Sequence, residues 1–182
     1  PSIDSETLQK IQPYLKLGEE LGIFISQLLN GPLTSIEVQY NGEVAEQRMD
    51  PITISILKGL LTRTIDGINM VNAPFIAKDR DIKIKESKST EVHEYTSTIQ
   101  VTAKTKEGER SVTGSVFGKG DSRIVKFDEF YFEAVLSKHM LILNNLDVPG
   151  VIGNIGNILG VNKINIAGFH LGRAKEGGKS VA

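Results

Sequence analysis

The stretch that decides the fold is His139–Ala182, HMLILNNLDVPGVIGNIGNILGVNKINIAGFHLGRAKEGGKSVA. Met140–Leu143 is an apolar run of strand length, and Asn144-Asn145-Leu146-Asp147 reads as a polar turn behind it. Pro149 then opens a helix, because proline in a first turn forfeits no hydrogen bond and its φ is already helical. Val151, Ile152, Ile155, Ile158 and Leu159 follow at the spacing of one helix face. Gly160 to Asn162 end that helix, and Ile164-Asn165-Ile166-Ala167 starts a second strand.

This order of strand, D-x-P-G, helix and N-I-x-G resembles the ACT domain, a small ligand-sensing module attached to amino-acid-pathway enzymes. The resemblance implies a ferredoxin-like βαββαβ fold, of which this chain would carry only the N-terminal part. Gly178-Lys179-Ser180-Val181-Ala182 stands where the third strand should start. The chain also opens on Pro1 instead of a methionine. Both termini therefore read as cuts inside a longer protein, whose function this piece serves.

Bulk properties set looser bounds. A chain of 182 residues allows one large or two small domains with a real core. A formal net charge of −1 and a pI near 6.4 argue against nucleic acid as a main partner, since phosphate binding needs a clustered basic surface. No apolar run is long enough for a membrane span, and no signal peptide is visible. With no cysteine there is no disulfide framework, thiolate nucleophile or cysteine-ligated metal. These features fit a cytoplasmic protein.

Upstream, Ser2 to Gln12 reads as a linker ending in a short helix, with Asp4 or Ser5 as N-cap. Pro13 starts a longer helix to about Asn30, with Leu17, Leu21, Phe24 and Leu28 on one face; Gly31 and Pro32 stop it. Ser35–Tyr40 alternates as a half-buried strand. Asp50-Pro51 caps a helix whose inward residues would be Ile54, Leu57, Leu60, Leu61 and Ile65. A short helix begins at Asn72-Ala73-Pro74, and Ile82–Lys85 is a brief strand before a polar loop, Glu86–Glu94. Tyr95–Thr105 and Arg110–Phe117 form a hairpin around Gly108, followed by strands at Arg123–Phe127 and Tyr131–Ala134. Helices first and antiparallel strands later give an α+β fold with helices on one sheet face.

Four further segments carry a second resemblance: LNGPLTSIEVQYNGEVAE (29–46), LKGLL (57–61), VNAPFIAKDRDIKIKESKS (71–89) and ERSVTGSVFGKGDSRIVKFD (109–128). They are similar to the allosteric substrate-binding domain of the long-form D-3-phosphoglycerate dehydrogenases. The resemblance implies a linker from a nucleotide-binding domain over residues 1–12, a substrate-binding-like regulatory α+β domain over 13–138, and the start of an ACT domain over 139–182. It further implies an NAD-dependent parent enzyme at the first step of serine synthesis, feedback inhibited by L-serine and homo-oligomeric. Two rivals are the β-subunit of an iron–sulfur L-serine dehydratase and a free-standing amino-acid-binding regulator. The first should show a G-P-S-S-S-H-T run, which is not present.

Catalytic machinery is not legible. Gly118-Lys119-Gly120 and Gly172–Gly178 have neither the spacing nor the strand-to-helix setting of a dinucleotide turn. His93, His139 and His170 each lack the oriented partner that acid–base work needs. The candidate sites are instead binding sites. By resemblance, serine would meet Asn145, Asp147 and Asn165, with Gly150 allowing close approach of backbone to ligand. Carboxylate and amide oxygens suit an ammonium group, and amide N–H groups near the helix start suit a carboxylate. The plainer reading is that Asp147 caps the helix and Asn165 satisfies a strand end. A phosphate-bearing effector would draw on Arg123, Lys126 and Lys119, with Lys78 and Arg80, although such cations also serve simply to solvate sheet edges.

Overall fold

The computed structural model describes residues 5–91, 94–118, 120–175 and 177–182. Its larger part is built around β1 (Leu33–Gly42), where Ile36, Val38 and Tyr40 point inward and Glu37, Gln39 and Asn41 outward. β2 (Lys83–Ser89) pairs with it in parallel; β3 (Ser97–Thr105), β4 (Glu109–Phe117), β5 (Asp121–Phe127) and β6 (Phe130–Val135) continue as an antiparallel meander. The resulting six-stranded sheet has the order β2-β1-β3-β4-β5-β6. Helices α1 (Ser5–Ser26) and α2 (Met49–Leu61) cover one face, and the short α3 (Ala73–Asp79) lies beside α2. This is an α+β fold.

The two long helices meet through glycines. A methyl group on Gly22 would lie 2.4 Å from the Ile56 carbonyl oxygen, and one on Gly59 would lie 2.2 Å from that of Glu19. The backbones therefore touch, and Lys58 closes the contact with an ion pair to Glu19 at 2.7 Å. Below them, Leu17, Leu21, Ile52, Ile56, Ile99, Val101, Val112 and Ile124 form a fully buried core. A burial of this kind stabilises by about 25 cal/mol for each Å² of apolar surface removed from water.

Several expectations need correction. The helix expected to begin at Pro13 runs from Ser5 through the proline to Ser26, and Ile11, placed in a linker by sequence, is completely buried. Burial of Ile11 helps to offset the hydrogen bond that proline removes. Of the inward positions expected on α2, Leu57, Leu60 and Leu61 are buried, but Ile54 is only partly buried. Ile52 and Ile56 take its place as fully buried residues, because the glycine contact turns the helix toward α1. The start of the polar run expected as a loop over Glu86–Glu94 is the second half of β2, which reaches Ser89 as an edge strand whose exposed lysines mask it as a loop.

The smaller part begins after β6. β7 (Asn144–Leu146), β8 (Gly172–Arg173) and β9 (Lys179–Val181) form a sheet of order β7-β9-β8, antiparallel throughout. Backbone bonds between Leu143 and Ala182, at 2.8 and 2.9 Å, and from Asp147 N–H to Gly178 O, at 2.9 Å, extend the first ladder. The strand expected at Met140–Leu143 is thus displaced to Asn144–Leu146, where β9 supplies partners. The strand expected at Ile164–Ala167 does not form; the amides of Lys163 and Ile164 instead bond back to the end of the preceding helix, and pairing resumes at β8. An alternating run becomes a strand only beside a neighbour that accepts its hydrogen bonds.

Between β7 and β8 lies α4 (Val151–Val161). It starts two residues after Pro149, because Gly150, at φ 93°, holds the left-handed turn before the first helical residue. No residue of α4 is buried. The small sheet meets the large one at a tight seam, where Gly172 sits against Phe130 and Phe132 and Val181 enters the main core.

Candidate functional site

The register of the small sheet decides which side chains share a face. Asn145 lies opposite Ser180, and Ser180 lies opposite Arg173, so the three form one row across β7, β9 and β8. Asp147, two residues beyond Asn145, falls on the same face. Its carboxylate accepts a hydrogen bond from the Arg173 guanidinium at 3.1 Å. The Ser180 hydroxyl donates to the Asn145 carbonyl at 3.2 Å, and Asn145 Nδ2 donates to the Leu146 carbonyl at 2.9 Å. Asn145 Oδ1 is shielded from solvent and finds no donor among the described residues. A shielded acceptor without a donor is costly unless something completes it.

The four effector candidates are thus only partly assembled. Asn145 and Asp147 stand together on one face, and Gly150 begins the turn into α4. Asp147 does not cap that helix: Gly150 is the N-cap, no side chain caps it, and the carboxylate is committed to Arg173. Asn165 is exposed in the segment after α4 and makes no hydrogen bond to the other three. Arg173 and Ser180 are the members that sequence reading missed. Their spacing carries no signal; only the cross-strand register brings them beside Asn145.

The anion candidates fall in two places. A bulge at Val125 lets Arg123 and Lys126, three residues apart, face the same way, opposite Ser115 and Thr113 on the sheet surface that carries no helix. There Arg123 donates to Glu133 at 3.0 Å and its guanidinium lies 4.7 Å from the Phe117 ring centroid. Lys126 sits 4.6 Å from the Tyr131 ring. Tyr95 completes the cluster through its contact with Phe117; burial and then the Glu133 carboxylate push its phenol above the ordinary range. Lys78 and Arg80 belong instead to α3 and its C-cap, in the helical layer. Lys119 and His93 lie outside the described residues.

A further polar group ties the helical layer to the sheet. Thr53 of α2 donates to the Glu86 carboxylate on β2, so its oxygen is left to accept from Tyr40 of β1, 2.6 Å away. Burial holds the Tyr40 phenol proton well above its usual range. Among the described residues no group of side chains is gathered that would hold a metal ion, and no helix is long and apolar enough to cross a membrane.

Comparison with known proteins places this geometry. The family model for the D-3-phosphoglycerate dehydrogenase intervening domain matches residues 10–128, from α1 through β5. The chain belongs to that family. Relatives called D-3-phosphoglycerate dehydrogenase match it along nearly its whole length. One from Methanocaldococcus jannaschii is 37% identical over 182 residues, which is 100% of this chain and 34% of the relative. One from Synechocystis is 35% identical over 175 residues, 95% of this chain and 32% of the relative. A Bacillus subtilis relative is 31% identical over 182 residues, again 100% of this chain and 35% of the relative. The chain therefore spans about a third of the length of these relatives. The intervening-domain match stops before β6, so the row Asn145–Ser180–Arg173 lies outside it.

Proposed function

We propose that this chain is the regulatory portion of an NAD-dependent D-3-phosphoglycerate dehydrogenase, the enzyme that oxidises D-3-phosphoglycerate on the way to serine. The intervening-domain match carries the reading, and the whole-length similarity to the named relatives supports it. Its task is sensing. Neither glycine-rich spot suits a dinucleotide pyrophosphate: Gly118 and Gly120 lie in the turn between β4 and β5, Gly172–Gly178 spans the β8–β9 hairpin, and neither opens a helix. The cofactor of such an enzyme would supply hydride acceptance from a site outside these glycines.

The smaller part is the effector module. Its order of strand, helix, strand, strand, with the last strand inserted antiparallel between the first two, is compatible with the first half of a ferredoxin-like ACT fold. L-serine is the ligand, bound at Asn145, Asp147 and Gly150, with Asn165 closing over it from the exposed segment. A phosphate-bearing effector has its best candidates in Arg123 and Lys126. Exposed Ile164, Ile166 and Phe169 favour association with a second copy.

Inhibition kinetics of the whole enzyme test this. Asp147→Ala and Asn165→Ala should each cost about 1–3 kcal/mol of effector binding, weakening inhibition by L-serine roughly 5- to 100-fold while sparing turnover. Unchanged inhibition in both variants would show that serine acts elsewhere.

A further inference from the structure

Arg173 is the cation that the effector reading did not anticipate, and its position gives it a role. We infer that Arg173 and Asp147 form a charge pair into which the zwitterion of a small α-amino acid inserts, Asp147 taking the ammonium group and Arg173 the carboxylate. The inference rests on the reading of Asp147 as an effector residue, and it adds the group that recognises the acid end of the ligand.

The contact itself is suited to being opened. It is a single hydrogen bond of 3.1 Å from one guanidinium nitrogen, not the paired fork of which arginine is capable. The Arg173 side chain is 57% exposed and that of Asp147 18% exposed, so the arginine keeps donors turned to water while the carboxylate is largely shielded. Ion pairs with one exposed partner are held weakly. An incoming zwitterion replaces this one pair with two and leaves no charge uncompensated. An amine without a carboxylate would displace the guanidinium and offer it nothing in return. The closed pair therefore discriminates against amines and favours amino acids, because the repulsive element is built in.

Asn145 supplies an independent pointer. Its Oδ1 is shielded, lacks a donor, and lies on the same face of the sheet as Asp147. An ammonium group has three donors and no acceptor, so one can reach Asp147 and another Asn145. On the far side of the row, Arg173 presents the planar fork that matches a carboxylate in two parallel bonds. The backbone around it is fixed by pairing with Ser180, whose side chain is fully buried.

The test is calorimetric titration of the full chain with L-serine and with L-serinamide, which keeps the ammonium group and lacks the carboxylate. The wild type should bind L-serine at least about tenfold more tightly than L-serinamide. Arg173→Gln should weaken L-serine by about tenfold or more and leave L-serinamide unchanged or improved, which erases the preference; Arg173→Lys, a point charge, should fall between. If Arg173→Gln binds L-serine as tightly as the wild type or more tightly, Arg173 is only a strut between β7 and β8, and the inference fails while the effector site stands. If the wild type binds L-serine but Asp147→Asn binds it equally well, the effector reading fails and takes the inference with it. Binding of neither compound by the wild type overturns both.

Discussion

Helices α1 and α4 both carry glycines among apolar residues, yet they end in opposite circumstances. In α1 Gly22 is pressed against the backbone of α2, so closely that a methyl group would meet an oxygen at 2.4 Å. In α4 Gly153, Gly156 and Gly160 have nothing within 4 Å of the place where a Cβ would stand, and Ile158 and Val161 are largely exposed. Sequence periodicity makes both segments helical. Only a partner makes a helix face into core. For α1 the partner is α2 and the sheet beneath; for α4 no described element covers it.

The largest effect that separates the two should come from the glycine contact. Gly22→Ala or Gly59→Ala should destabilise the large part by about 3 kcal/mol, the upper end of ordinary overpacking, because the obstructing atoms are backbone. Denaturant unfolding read at the far-ultraviolet helix signal measures it. A neutral result for both would mean that the helices can separate freely and that the contrast with α4 is overstated.

Tyr40→Phe comes next, at about 1–2 kcal/mol near neutral pH, since Thr53 loses its donor in a buried setting. The pH dependence sharpens the assignment. Tyr40 holds its proton more firmly folded than unfolded. Its contribution is therefore fully present below the ordinary tyrosine pKa of about 10 and is lost as pH rises past it, when the unfolded chain releases the proton. Wild-type stability should fall more steeply than that of Tyr40→Phe above that point; parallel alkaline profiles would remove burial of the phenol as the cause.

The smallest change belongs to α4. Gly156→Ala should add helix propensity worth just under about 1 kcal/mol, with no clash to oppose it. Amide exchange within 151–161 should slow slightly, while the large part should be unaffected. A loss of stability there would reveal that the face is covered in solution.

How much of this was legible in the sequence depended on whether a local rule decided the outcome. Alternation marked β1 and β3 because each has one apolar and one polar side. The glycine–proline stop signal at Gly31-Pro32 marked the break before β1. Long-range pairing decided the rest. The second half of β2 reads as loop because it is a charged edge, and Met140–Leu143 reads as strand although the partner strand reaches only Leu143. At the candidate sites Asn145 and Asp147 could be named from their motif, but Arg173 could not, since it is aligned with them through Ser180 of an intervening strand. Arg123 and Lys126 share a face only because Val125 bulges.

The order of the large sheet also has a consequence for how the chain is made. β1 leaves the ribosome before both of its neighbours: Val38 must await Glu86 on one side and Val101 on the other. At synthesis rates of about 5–20 residues per second, the ~60 residues that separate β1 from β3 take roughly 3–12 s to emerge. Until β2 emerges, a strand with Ile36, Val38 and Tyr40 on one side has unpaired backbone groups on both edges, and its β3 edge stays open to the end of that interval. The meander from β3 to β6, by contrast, can pair each strand as soon as it appears. This interior apolar strand of the nascent protein is therefore its longest-waiting one, and the period before β3 arrives is when aggregation or chaperone capture competes most strongly with folding.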